Sequence, residues 1–150
     1  MFFSSIYSEK SKSLIINIID KEISINMNKY KLIGRNIPSS KNAKQWTGKM
    51  LINNKLTLEF YKWGVQEIQK FKSDLLEELK TKEKPYKFHF HFVRDSARKW
   101  DFANIVQSVS DLLVKCNVIE DDNTRIYIPV YDGEEITRIK SDAGCTFYVE

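Results

Sequence analysis

The chain has 150 residues, 42% hydrophobic and 29% charged, with a formal net charge of +4, too small an excess to argue for nucleic acid by itself. That length predicts one domain with a core large enough to need no disulfide or metal staple, and the composition excludes a disordered or collagen-like polymer. Cys116 and Cys145 lie far apart without a C-x-x-C spacing, and Cys116 falls on the apolar face of a predicted helix, which points to a reduced core thiol and an intracellular compartment.

Residues 1–26 read as an extension of uncertain status appended to a domain over 27–150. Met27 looks like an alternative natural start. Glu9, Lys10 and Lys12 interrupt the apolar start before a signal-peptide core forms. No apolar run approaches the length needed to cross a bilayer. No membrane partner is therefore expected, and the expected location is the cytoplasm. Leu14-Ile15-Ile16-Asn17-Ile18-Ile19 is strongly apolar but shows no clear partner pattern.

Tyr30–Gly34 reads as a first strand, stopped by Gly34 and Pro38. Ile37–Asn42 is a loop of turn formers, and Lys41 within it and Lys44 and Lys49 after it surround Trp46 with positive charge. A basic loop with an embedded aromatic can grip a nucleic-acid backbone, and it can equally be a surface loop anchored by its tryptophan. Asn53 and Asn54 cap a long helix predicted to run to about Lys80, with Leu56, Phe60, Trp63, Ile68, Phe71, Leu75 and Leu79 as its core stripe. Thr81–Pro85 ends it.

Tyr86–Val93 alternates aromatic and polar residues, the pattern of a strand with one buried face. Tyr86, Phe88, Phe90 and Phe92 are expected to lie on the long helix. His89 and His91 share the opposite face. Such a pair can bind zinc, but no third ligand is near in sequence, so a solvated or hydrogen-bonded face is the reading adopted. A second helix is predicted over Asp101–Cys116, with Phe102, Ile105, Val109, Leu112, Leu113 and Cys116 inward and Asn104, Gln107, Ser108 and Asp111 on the other face. Asp101 suits its N-cap, and Asn117 a left-handed residue past its end. Arg125–Tyr131 reads as a strand that Pro129 places at a sheet edge, and Cys145–Val149 as a last short strand. The expected architecture is α+β: a single domain with one mixed β-sheet packed by two main helices.

Charge is segregated along the chain. Lys80 to Lys99 is basic, and Asp111 to Glu135 is acidic. This fits an anionic polymer on one side and a cation on the other, or simply two solvated surfaces. Phosphodiester hydrolysis at neutral pH needs a strong nucleophile and a neutralised leaving oxygen. Magnesium serves both needs and is commonly held by one or two carboxylates. Asp101, Asp121 and Asp122 are the candidate ligands, with Arg98 and Lys99 on phosphates. From Asn104 to Asn117 a helix rises about 20 Å. Five extended residues return about 16 Å, bringing Asp122 back beside Asn104 or Gln107. Asp111 lies about 15 Å along the helix from Asp101, too far to share an ion with it. Asp121-Asp122-Asn123 also makes an ordinary polar turn, and spacing alone does not choose.

At these residues the chain resembles the RusA-like Holliday-junction resolvases common in phages and prophages. That family carries an Asp-x-Asp-Asn element opening a helix, another Asp ten residues after the first, and an Asp-Asp pair ten further on; Asp101, Asn104, Asp111, Asp121 and Asp122 fall on that spacing. Pro38-Ser39-Ser40-Lys41-Asn42 resembles the family's loop after its first strand, with one residue extra, and Arg98-Lys99 matches its basic stretch. The resemblance covers about 27–150. It implies a homodimeric endonuclease, dependent on magnesium with manganese as a possible substitute, that nicks branched DNA symmetrically in recombination, repair or phage DNA processing. Asp101 matches the family's first metal-binding Asp and Asp122 another metal ligand, with Asp121 beside it as a further candidate. Asn104 matches an orienting group, Arg98 and Lys99 the basic stretch, and Gln107 a catalytic or DNA-contacting position, while Lys41 and Lys44 of the basic loop are the further candidate DNA contacts. Two positions depart from the pattern. Ala103 stands where the family has its second Asp, and Gln107 where it has a lysine. Either the site is rebuilt, with Asn104, Glu120 or Asp111 supplying an oxygen, or the protein binds branched DNA with weakened or no cleavage. A structural protein with an incidental polar turn is the third reading.

Overall fold

The computed structural model describes residues 2–150, with side chains described at 9–22 and 27–150. The chain runs α1 (Phe2–Asn26), β1 (Tyr30–Ile33), β2 (Lys44–Trp46), β3 (Leu51–Asn53), α2 (Lys55–Gln69), α3 (Lys72–Leu79), β4 (Tyr86–Arg94), α4 (Phe102–Lys115), β5 (Tyr127–Ile136) and β6 (Gly144–Val149). A single 3₁₀ turn at Ser40–Asn42 precedes β2, and another at Lys140–Asp142 precedes β6. The expected α+β class holds. A mixed sheet in the order β1-β6-β4-β5 is antiparallel except for the β4–β5 pair.

The aromatic alternation of β4 explains the layering. Phe88, Phe90 and Phe92 are fully or almost fully buried and point to the helices. They meet Phe147 of β6, Tyr127 of β5 and, at the far end, Trp100 and Phe102. Burying each such ring contributes on the order of 2–3 kcal/mol, the main force holding sheet to helices. His89 and His91 face the other way and are hydrogen-bonded, His89 to Glu150 at 2.8 Å and His91 to the Asp132 carbonyl at 3.3 Å. The hydrogen-bonded reading of that pair therefore stands. Pro129 sits in β5, the edge strand, as its missing N–H requires. The β4–β5 register slips between Phe90 and Phe92, so Tyr131 and Glu134 oppose them. This bulge accommodates Asp132-Gly133 and lets β5 run five residues beyond its expected end at Tyr131.

Three expectations need correction. The long helix from Asn54 to Lys80 is two helices, α2 and α3, broken at Lys70-Phe71. Phe71 leaves helical geometry (φ −129°, ψ 2°) and packs on Tyr30 and Phe147 at 5.2 and 5.9 Å, so aromatic burial against the sheet overrides a continuous helix. Leu56, assigned to the buried stripe, is 54% exposed. The inward face of α2 is instead Thr57, Phe60, Gly64 and Ile68, which a 3.6-residue period places together. Finally, the basic loop after Asn42 contains a hairpin, with Lys44, Gln45 and Trp46 opposite Asn53, Ile52 and Leu51. Its residues are almost all exposed, so no alternation of burial marks it in sequence.

α1 is a helix whose described side chains, residues 9–22, are all exposed, Leu14, Ile15, Ile16, Ile18 and Ile19 among them. Among the described residues no helix is long and apolar enough to cross a membrane.

α2 crosses α4 where Gly64 meets Leu112. A Cβ at Gly64 would lie 2.4 Å from Leu112 Cδ2, and Leu112 is fully buried. Gly64→Ala gains about 1 kcal/mol in helix propensity but overpacks a full core, at a cost of about 1–3 kcal/mol. A net loss of about 1 kcal/mol is expected in urea unfolding, and a stabilised variant would contradict the close contact.

Candidate functional site

The site is built on one stripe of α4. Asn104, Gln107, Asp111 and Lys115 recur at three- and four-residue steps, so they line up along one side of the helix. Asp101 caps its start: Oδ1 accepts from the Ala103 N–H at 3.0 Å, and Oδ2 accepts from the Asn104 amide at 2.8 Å. Ser108, on the same side but buried, donates to the Pro38 carbonyl at 2.6 Å. That bond pins the loop after β1 to the helix. Asn54, the N-cap of α2, holds the other end of the segment by donating to the Asn42 carbonyl. The basic segment carrying exposed Lys41 and Lys44 and the 66%-exposed Trp46 is thus tethered next to Gln107.

The chain leaves α4 through Asn117, in the left-handed region at φ 55° as expected. The Val118 N–H closes the helix end on the Leu113 carbonyl at 2.9 Å. Val118 and Ile119 are buried, and this anchor turns the acidic segment back along the helix. Gln107 Nε2 then donates to both Asp122 Oδ2 at 2.6 Å and Asp111 Oδ1 at 2.8 Å. The calculated return of Asp122 to the level of Gln107 is what the fold shows. Tyr61 of α2 donates to Asp111 Oδ2 at 3.4 Å, and burial together with the Asp111 charge pushes its phenol pKa up.

The other acidic candidates point elsewhere. Asp121 accepts from the Asn123 amide at 2.7 Å and from the Asp122 N–H at 2.9 Å. These donors, Asn123 foremost, hold its carboxyl below the usual range. A depressed carboxyl favours the fold above its unfolded pKa and loses that contribution as pH falls through the folded value. Asn123→Ala should move the Asp121 titration up toward the ordinary carboxylate value in an NMR pH series. An unmoved titration would assign the shift to the backbone N–H alone. Asp101 and Asn104 are bonded to each other, about 9 and about 4.5 Å along the helix from Gln107 respectively.

The fold therefore joins Asp122 to Gln107 and Asp111 and leaves Asp101 and Asp121 in caps of their own. Gln107, expected on DNA, is the bridge between two carboxylates. Among the described residues no three acidic, His or Cys side chains form a metal-holding group. Two half-buried carboxylates nonetheless converge on one nitrogen, with no cationic side chain in ion-pair reach of either among the described residues. Magnesium takes one or two protein carboxylates and completes its shell with water and substrate oxygens; here the Gln107 amide stands between the two.

Arg98 and Lys99 are exposed in the loop before α4. Trp100 anchors that loop against Phe92 at 5.1 Å, under Arg94 at 4.8 Å, and donates to Glu134. Two neighbours of the site escaped the sequence reading. Lys115 continues the stripe four residues past Asp111 and was legible as such. Tyr61 belongs to another helix and carried no signal.

A scan against protein-family profiles finds no match to this chain, and a search of curated proteins finds none either.

Proposed function

We propose that this protein is a RusA-like, metal-dependent endonuclease that binds branched DNA as a homodimer and nicks it symmetrically. The observation that carries the reading is the convergence of Asp122 and Asp111 on Gln107 Nε2, at 2.6 and 2.8 Å, at the family-like spacing that begins with Asp101. Asp122 and Asp111 would hold magnesium, or manganese in its place, with the exposed Asp101 and Asp121 flanking them. An ion held there would supply an activated water and would neutralise the leaving oxygen. The chain's own groups prepare the site. Gln107 fixes both carboxylate rotamers, Asn104 orients Asp101, and Arg98 and Lys99 bind phosphates before the helix N-terminus. Lys41, Lys44 and Trp46 approach the strand from the tethered segment. A two-fold dimer would present two such sites to opposed strands of a junction.

A second reading has its own support. Ala103 contributes no ligand, and a neutral amide occupies the space between the carboxylates, which suits a branched-DNA binder that does not cut. Incubation of a labelled four-way junction with magnesium, manganese or EDTA, beside a matched linear duplex, separates the two. Metal-dependent nicking of the junction alone is expected. Binding without nicking in either metal would install the second reading, and no preference for the junction would overturn both.

A further inference from the structure

A cavity of about 470 Å³ opens beside the carboxylate pair, between α2 and the last turn of α4, lined by Asn53, Tyr61, Lys62, Gln66 and Lys115 among others. Its link to the site is Tyr61, whose hydroxyl reaches Asp111 while the Lys115 ammonium stands 5.7 Å over its ring. The ring thereby fixes the lysine on the same stripe as the carboxylates, about 6 Å further along the helix. Its link to the hairpin is Asn53, which pairs with Lys44.

A lysine in the last turn of a helix also complements the helix dipole, but charge balance argues for more. Lys55, Lys70, Lys80, Lys84 and Lys87 each face a carboxylate. Among the described residues the exposed Lys62 and Lys115 have no acidic partner within ion-pair distance, as is also true of Lys41, Lys44 and Lys99; what sets the two apart is that both line one cavity that reaches Asp111 through Tyr61. A phosphodiester strand crossing Asp111 and Asp122 meets two negative charges and, at Gln107, no positive one. Arg98 and Lys99 compensate on the flank before α4, and Lys41 and Lys44 from the tethered segment, which leaves the flank past Asp111. From Asp101 to Lys115 α4 spans about 21 Å, the axial length of about six phosphates of one strand.

We infer that this cavity is the second phosphate-binding stretch of the site, in which Lys115, held over Tyr61, and Lys62 take the backbone of the DNA strand leaving the carboxylate pair. The inference rests on the branched-DNA reading above and names the far end of its track. It also accounts for the uncharged Gln107: the positive charge stands two turns further along α4.

The test is junction binding by the full chain, followed by fluorescence anisotropy in EDTA across about 50–200 mM salt. The double variant Lys62→Gln, Lys115→Gln should bind at least tenfold more weakly. Its slope of log K against log salt should fall by about 1.8, since each phosphate contact contributes about 0.9. Lys62→Arg with Lys115→Arg should restore both, a rescue that a folding defect would not show. Lys80→Gln, outside the cavity, should match wild type. If wild type binds the junction and the double variant keeps its affinity and slope, the cavity assignment is overturned and the nuclease reading survives. If wild type binds no DNA, the nuclease reading falls and the cavity assignment falls with it.

Discussion

Asp122→Asn should abolish metal-dependent nicking of a four-way junction while junction binding persists. The substitution is nearly isosteric, and the new amide can still accept the Gln107 hydrogen bond through its oxygen. Only the charge is lost. Of the two carboxylates that meet at Gln107, one remains, and a hard divalent ion then has half its protein donors. A fall of about 10³-fold in nicking, equivalent to about 4 kcal/mol of barrier, is expected. Binding measured in EDTA should hold or tighten, because a negative charge near the phosphates is gone. Urea unfolding should change by about 1 kcal/mol or less, because the Gln107 amide keeps an acceptor and loses only the charge that strengthens that bond. Nicking within tenfold of wild type would remove Asp122 from the proposed site.

Gly144→Ala should be the most damaging small substitution in the chain. Gly144 opens β6, at the centre of the sheet, opposite Ile33 of β1 and Val93 of β4. Its φ of 147° lies in the region that side chains rarely adopt, and a Cβ there would stand 2.0 Å from the Leu32 carbonyl oxygen. That neighbour is backbone in a paired strand, so it cannot swing aside as a side chain would. The register between β1 and β6 must shift, or the strands must part. A loss of about 4 kcal/mol is expected, combining backbone strain and lost pairing, with a fall in Tm of about 10 °C for a domain of this size. A loss under about 1 kcal/mol would mean that the close approach of β1 to β6 is not a feature of the folded protein.

These two predictions differ in how far the sequence anticipates them. Asp122 belongs to a spaced acidic series, and helix rise set against extended-chain reach already returns it to Gln107. Gly144 is an isolated glycine before an apolar run. Nothing local says that a neighbouring strand's carbonyl presses against it, because that neighbour lies more than a hundred residues earlier in the chain. The same division runs through the fold. The stripe of α4, its Asp101 cap, the left-handed Asn117, the alternation of β4 and the edge position of Pro129 were all legible, since each follows from side-chain periodicity or from one residue's backbone chemistry. The break at Phe71 was not, because helix periodicity continues across it and only the rings of Tyr30 and Phe147 favour the turn. Nor was the β2–β3 hairpin, whose exposed strands leave no pattern of burial to read.

For the candidate site, the sequence by itself determined the residue types, their order along α4 and the return of the acidic segment. These are properties of a helix and a short connector, fixed by rise per residue and chain reach. Only the tertiary structure decided which carboxylates meet. Asp111 joins Asp122 because Gln107 donates to both, while Asp101 and Asp121 are satisfied by the nearest N–H groups of their own turns. Tyr61 reaches Asp111 and Lys115 because Gly64 lets α2 close on Leu112 of α4. Such contacts depend on the packing distance between elements remote in sequence, and no local pattern of residues encodes that distance.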